Sequence, residues 1–216
     1  MIDYRLYLVT DNPSRYDGNW LDNVVAAVEG GVTCVQYRDT ESSRQIQFER
    51  VRQLRDALGK TPIIINNDAE LAAAVSSEGV HVGQRDMPVR EVRRIVGPDC
   101  EIGFSITNIS QVAGLQDRPA AELQVDCFGI GPVFDARKTK ADASAAIGVA
   151  GLQEIIDVLH PSPCTSQLVP AVAIGGITLD NAAEVLATGV SGIAVVSAFS
   201  KSTDPYSVAR TFRKLF

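Results

Sequence analysis

The sequence has four cysteines, Cys34, Cys100, Cys127 and Cys164, but no C-x-x-C pair and only two histidines to join them. A closed zinc site draws on four closely paired Cys or His ligands, so the ligand supply argues against structural zinc. Widely spaced cysteines in or beside apolar runs read as buried free thiols, which suits a reducing, cytoplasmic setting. No apolar run reaches 18 residues, and the opening MIDYRLYLVTD lacks the basic-then-apolar layout of a signal peptide. A membrane is therefore not an expected partner. Against 26 acidic residues stand 20 Lys and Arg, scattered without a basic run, for a net charge of −6. That balance argues against a general nucleic-acid surface, and any anionic ligand must be held by a local cluster. The lone Trp20 and the scattered Phe residues carry no cofactor pattern, and no low-complexity segment or linker interrupts the chain.

What the chain does have is repetition. Short runs rich in Val and Ile recur at residues 5–10, 34–38, 62–66, 79–83, 101–106, 125–133, 169–175 and 192–198. They show little polar alternation, which is how strands buried on both faces of a parallel sheet read. Between them lie stretches with helical spacing. Leu21, Val24, Val25 and Val28 recur at i, i+3, i+4 and i+7, as do Leu152, Ile155, Ile156 and Leu159, and Leu179, Ala182, Ala183 and Leu186. Asp86 with Pro88, Thr178, and Asp204 with Pro205 supply helix starts, whereas Gly30–Gly31, Gly97 and Gly189 supply stops. Eight strand-helix units in 216 residues average about 27 residues each, the lower end of the (β/α)8 range. The expected fold is one α/β domain over residues 1–216, a single (β/α)8 TIM barrel, with an open doubly wound sheet as the other architecture.

Nearly every apolar run ends in a polar or glycine cluster, and in a closed parallel barrel all these ends open onto one face. Ile174-Gly175-Gly176-Ile177 and Val195-Val196-Ser197-Ala198 mark a phosphate site after the seventh and eighth strands, where backbone N–H groups can reach an oxyanion. Gln36 and Arg38 point one way by the i, i+2 rule, whereas Tyr37 points the other. With Asn66, Asn67, Asp68, Asp86 and Lys140 they form a second group. Arg offers a fork to phosphate oxygens, Lys a mobile charge, and Asp86 with an Asn carbonyl could hold a magnesium ion (Mg2+) chelated by a diphosphate. A salt bridge between Arg38 and Asp86 is the plainer reading of that pair. His81, in the apolar run GVHVG, reads as a hydrogen-bonded pocket-floor residue rather than a base. Ser105, with no His-Asp partner in view, reads as a substrate contact rather than a nucleophile. The polar stretch at 134–148, FDARKTKADASAAIG, has the length of a lid, and 160–168 reads as a surface loop on the opposite face. Two anion sites in one barrel imply a reaction that joins two phosphorylated small molecules.

The ordered motifs YLVTD, VQYRD, INND, GVHVGQRD, G-x-S, GIGPVF with its downstream TK, VAIGGI and IAVVSA resemble those of the thiamine-phosphate synthase family over nearly the whole chain. The resemblance implies a TIM-barrel transferase of a pyrimidinylmethyl group in thiamine biosynthesis. It would join hydroxymethylpyrimidine diphosphate to hydroxyethylthiazole phosphate, with Mg2+ as cofactor, by a dissociative substitution that releases pyrophosphate. Carried over by position, Gln36, Arg38, Asn66, Ser105 and Lys140 would bind the pyrimidine diphosphate, His81 would stand beside the pyrimidine, and Arg38, Lys140 and Ser105 would serve catalysis. Asp86 and Asn67 would meet the metal, and Thr139, Gly176, Val196 and Ser197 the thiazole phosphate. The chain departs from the family pattern at Thr40, where a lysine is usual, at Asn67, where an aspartate is usual, and in FDARKTK, which has one extra residue. Arg137 and Lys138 would restore charge from the lid, Arg137 at the thiazole-phosphate side. The alternatives are a ligand-binding paralogue that has lost transfer and a thiazole tautomerase, whose histidine after the strand-five serine is replaced here by Thr107. The sequence leaves a homo-oligomer open.

Overall fold

A computed structural model of the protein describes residues 1–112, 123–136, 144–160 and 169–216. Strand and helix alternate in the order β1 (Leu6–Val9), α1 (Trp20–Glu29), β2 (Cys34–Tyr37), α2 (Arg44–Leu58), β3 (Ile63–Asn66), α3 (Ala69–Ala74), β4 (Gly79–Val82), α4 (Val89–Val96) and β5 (Glu101–Ile106). Then follow β6 (Cys127–Ile130), α5 (Gly148–Leu159), β7 (Ala171–Ile174), α6 (Ala182–Leu186), β8 (Gly192–Val195), α7 (Ser197–Ser200) and α8 (Pro205–Arg213). Each strand pairs in parallel with the next, and β8 returns to pair with β1. That closure excludes the open doubly wound sheet.

The apparent lack of polar alternation conceals two cores. One residue in two along each strand faces outward: Leu6 and Leu8, Val35 and Tyr37, Ile63 and Ile65, Ile193 and Val195 join a large cluster with helix residues such as Val24, Leu54, Val92 and Phe212. The residues between them face inward. Tyr7, Val9, Cys34, Ile64, Cys127, Val172 and Ala194 form a separate cluster inside the barrel. Both faces are apolar at mid-strand, so hydrophobicity alone does not distinguish them. Toward the C-terminal strand ends the inward positions turn polar, and that change marks the site. At the opposite end Tyr4 donates its hydroxyl to Glu101 Oε2 at 2.8 Å and closes the barrel floor.

Cys34, Cys100 and Cys127 are buried free thiols, as expected; Cys164 lies outside the described residues. Burial raises all three thiols, that of Cys100 to about 11. No helix among the described residues is long and apolar enough to cross a membrane.

Four expectations need correction. Strand six ends at Ile130 rather than 133, because Pro132 has no N–H for a ladder; the chain continues along the end of β7, with Val133 N donating to the Ile174 carbonyl and Phe134 N to Gly175, both at 2.9 Å. Strand eight ends at Val195, and Ser197 to Ser200 turn into α7. Asp86 does not open α4, whose first residue follows Pro88 with no side-chain cap. Leu179 precedes the short α6 and is 38% exposed, so Ala182 and Val185 make the buried face instead. Asp204 does cap the last helix, accepting from Ser207 N at 3.0 Å with Pro205 in the first turn.

Candidate active site

The inward-facing register of β2 runs from Cys34 through Gln36 to Arg38. Gln36 is buried, and its Nε2 donates to the Tyr7 hydroxyl at 2.8 Å. Arg38 lies one residue past the strand, with its backbone clasped by Thr10: Thr10 Oγ1 accepts from Arg38 N at 2.8 Å and donates to Arg38 O at 2.9 Å. The Arg38 guanidinium has no hydrogen-bond or ion-pair partner among the described residues, so the salt bridge to Asp86 does not form.

A polar network absent from the sequence reading holds this loop. Asn12 Oδ1 accepts from Thr40 N at 2.8 Å and from Thr40 Oγ1 at 3.2 Å, which ties Thr40 to the end of β1. Asp39 Oδ1 accepts from the Glu41 and Ser42 N–H groups at 3.0 and 3.1 Å. Its Oδ2 accepts from Arg50 at 2.6 Å and from the Tyr37 hydroxyl at 3.1 Å. Burial opposes ionisation of Asp39, but the two backbone N–H groups, Ser42 and Arg50 outweigh it, and its pKa sits below the ordinary value. The available sequence signal was Asp39 followed by Ser42, an Asx-type turn.

On the next strands Asn66 ends β3, and Asn67 takes φ +62°, the left-handed region that Asn tolerates better than most residues. Asn67 N donates to the His81 carbonyl at 2.8 Å. With its amide nitrogen turned inward, the Asn67 side chain donates to Asp86 Oδ2 at 3.1 Å and to the His81 carbonyl at 3.2 Å. Turned the other way, its carbonyl oxygen converges on the same carboxylate. Asp86 Oδ2 also accepts from Gly83 N at 2.7 Å, which fixes the carboxylate at the end of β4. Asp68 is engaged on the helix side: its Oδ1 caps α3 through Leu71 N at 2.8 Å and accepts from Arg44 at 3.0 Å. No group of three His, Cys, Asp or Glu that could hold a metal ion occurs among the described residues. Asp86 and Asn67 offer one carboxylate and one amide oxygen, a set that would fit an ion whose remaining oxygens came from water and diphosphate.

His81 stands inside the barrel with Nε2 3.0 Å from Ser105 Oγ. The sequence offered Ser105 no such partner. The register explains it: β4 and β5 pair His81 with Gly103, and Ser105 is the next inward position. A serine with a histidine supplies two of the three members of a nucleophilic triad. A Cβ on Gly103 would overlap His81 Nδ1, so the ring packs directly against that strand.

Across the mouth, Gly176 has φ +66°, and a Cβ there would stand 2.6 Å from Phe134 Cβ. Both the backbone conformation and the close approach require glycine. Its carbonyl accepts from Asn181 Nδ2 at 3.0 Å, whereas Asn181 Oδ1 accepts from Thr178 N at 2.8 Å, so the turn is fixed from behind. Val196 and Ser197 follow the adjacent β8. Arg137, Thr139 and Lys140 lie outside the described residues, as do Lys138 and most of the 160–168 loop. The segment that carries the first four leaves from Phe134, which is bonded to Gly175 beside the phosphate position.

The chain matches the family model described as thiamine monophosphate synthase over residues 6–199. It is 40% identical over 213 residues to the thiamine-phosphate synthase of Albidiferax ferrireducens, covering 98% of this chain and 91% of that one. Identity to the thiamine-phosphate synthase of Chloroflexus aurantiacus is 41% over 217 residues, covering 100% and 94% of the two chains. The solved structure of thiamine phosphate pyrophosphorylase from Pyrococcus furiosus superposes with a TM-score of 0.81 at 31% identity, covering 99% of this chain and 95% of that one. A barrel whose inward strand ends carry Gln36, Arg38, Asn66, Asp86, Ser105 and Gly176, and which matches these proteins from end to end, belongs to the thiamine monophosphate synthase family.

Proposed function

We propose that the mouth of the barrel holds two anions on opposite sides and joins the molecules that carry them. Gln36, Arg38, Asn66 and Ser105, with Lys140 from the 134–148 segment, bind hydroxymethylpyrimidine diphosphate, and His81 stands beside the pyrimidine. Gly176, Val196 and Ser197, with Arg137 and Thr139, receive the phosphate of hydroxyethylthiazole phosphate. Asp86 and Asn67 would hold Mg2+, which when bound neutralises charge on the diphosphate oxygens.

The reaction balances without a proton. The bond between the pyrimidine methylene carbon and the diphosphate oxygen breaks, and its electron pair leaves with the diphosphate. The positive charge left on the methylene is delocalised into the aminopyrimidine ring. The thiazole nitrogen lone pair then forms the new C–N bond, giving thiamine phosphate and pyrophosphate. Arg38 and Lys140 stabilise the departing charge, and the closed apolar walls keep water from the cation. His81 and Ser105 need do no acid or base work; their mutual hydrogen bond makes them a polar edge against which the pyrimidine is placed.

The observation that carries this reading is the meeting of Asn67 and Asp86 at 3.1 Å, at the mouth of a barrel whose other polar strand ends face the same opening. A tautomerase reading is disfavoured by Thr107, whose N and Oγ1 are both engaged by Gln111 Oε1, at 2.7 and 3.3 Å. Incubating the purified protein with both substrates and Mg2+, then reading thiamine phosphate by fluorescence after oxidation, tests the proposal. Product is expected. A ligand-binding paralogue would bind thiazole phosphate in calorimetry yet form no product at high enzyme concentration, and that outcome would overturn it.

A further inference from the structure

Gly103 and Gly129 sit inside β5 and β6, where glycine weakens a strand, and neither has the positive φ that would demand it. Their surroundings give another reason. The three atoms nearest to a Cβ built on Gly103 all belong to the His81 ring: it would overlap Nδ1 and stand 3.0 Å from Cγ. The same holds at Gly129, where a Cβ would stand 2.7 Å from Cε1 and 3.1 Å from Nε2. The imidazole therefore lies across two adjacent strands in a recess that exists only because both positions lack side chains. Ser105, whose Oγ is 3.0 Å from Nε2, is the register partner of Gly129.

We infer that Gly103 and Gly129 are positioning residues that set the depth of the pyrimidine pocket by leaving room for the His81 imidazole against the barrel wall. An alanine at Gly129 must push the Cε1 edge of the ring away by about 1 Å to reach ordinary carbon contact. The ring is then carried into the space of the bound pyrimidine and out of reach of Ser105. The phosphate position at Gly176 has Phe134 and Asp135, and not His81, as its nearest neighbours. Misplacement on the order of 1 Å at a substrate-positioning group costs up to about a hundredfold in rate.

This inference rests on the proposed transfer reaction, and a double-mutant cycle on Gly129→Ala and His81→Ala separates the two. Thermal midpoints of the four proteins read the recess without any substrate. Gly129→Ala alone should lower the midpoint by several degrees, and in the His81→Ala background the same change should cost almost nothing. Insolubility of Gly129→Ala with recovery in the double variant is the same result in stronger form. An equal penalty in both backgrounds, including loss of both proteins, overturns the inference. Kinetically, Gly129→Ala should raise KM for the pyrimidine diphosphate about tenfold or more and leave KM for the thiazole phosphate within twofold. Equal rises for both substrates overturn the pocket role. Absence of transfer by the unmutated protein would sink the proposed reaction while the midpoint cycle still reports on the recess.

Discussion

Tyr7 and Gln36 meet inside the barrel, where Gln36 Nε2 donates to the Tyr7 hydroxyl at 2.8 Å and both residues are no more than 5% exposed. Burial, with nearby Cys34, pushes the Tyr7 hydroxyl well above its ordinary range, so it is neutral at physiological pH. Tyr7→Phe would leave a buried amide without that partner, at a cost of about 1–3 kcal/mol. Thermal denaturation should show the loss, and KM for the pyrimidine diphosphate should rise because Gln36 is no longer oriented. An unchanged thermal midpoint would show that the bond contributes nothing.

Asp39 makes an acid-sensitive clamp behind Arg38. Its folded pKa is depressed, so its contribution is present above the unfolded value of about 3.9 and fades as pH falls through the folded one. Asp39→Asn should cost about 1.5–3 kcal/mol between pH 5 and 8, from the lost charged hydrogen bonds to Arg50 and the turn N–H groups. The difference from the parent protein should shrink below about pH 4. Denaturant titrations across that range check the sign; a difference that grows on acidification would contradict it.

The proposed Mg2+ position at Asn67 and Asp86 makes the response to the ion depend on the charge at residue 67. Asn67→Asp places two carboxylates at hydrogen-bond distance, which repel without a cation and chelate better with one. The variant should have a lower thermal midpoint than the parent in chelator and a larger gain from Mg2+ with pyrophosphate. Asp86→Asn should lose activity by about a hundredfold or more, and chelator should abolish turnover of the parent. Equal midpoints with and without Mg2+ in the Asn67→Asp variant would argue that the metal binds elsewhere.

The eight strands and the face they share were legible because parallel barrels repeat a strong local signal. The ends of strands six and eight were not: Phe128, Ile130 and Val133 continue an apolar run past the point where Pro132 interrupts the ladder, and Val196 continues one past the end of β8. Asp86 beside Pro88 has the look of a helix start, but the tight turn from Gly83 offers its carboxylate a nearer N–H. The Ser105 partner was hidden because His81 is adjacent only through strand pairing. Asn12 and Asp39, which hold the Arg38 loop, act between β1 and α2 in the same way. Pairwise contacts between distant segments leave no local pattern, whereas the strand-end glycine at Gly176 does.

The central claim, two separate anion sites serving one transfer, is tested most directly by the Michaelis constants of Arg38→Ala and Gly176→Ala for each substrate in turn. Arg38→Ala should raise KM for the pyrimidine diphosphate about tenfold or more, with loss of kcat, and leave KM for the thiazole phosphate nearly unchanged. Gly176→Ala should do the reverse, since a Cβ there meets Phe134 and displaces the turn beside β8. Equal effects of both variants on both constants would contradict the two-site account.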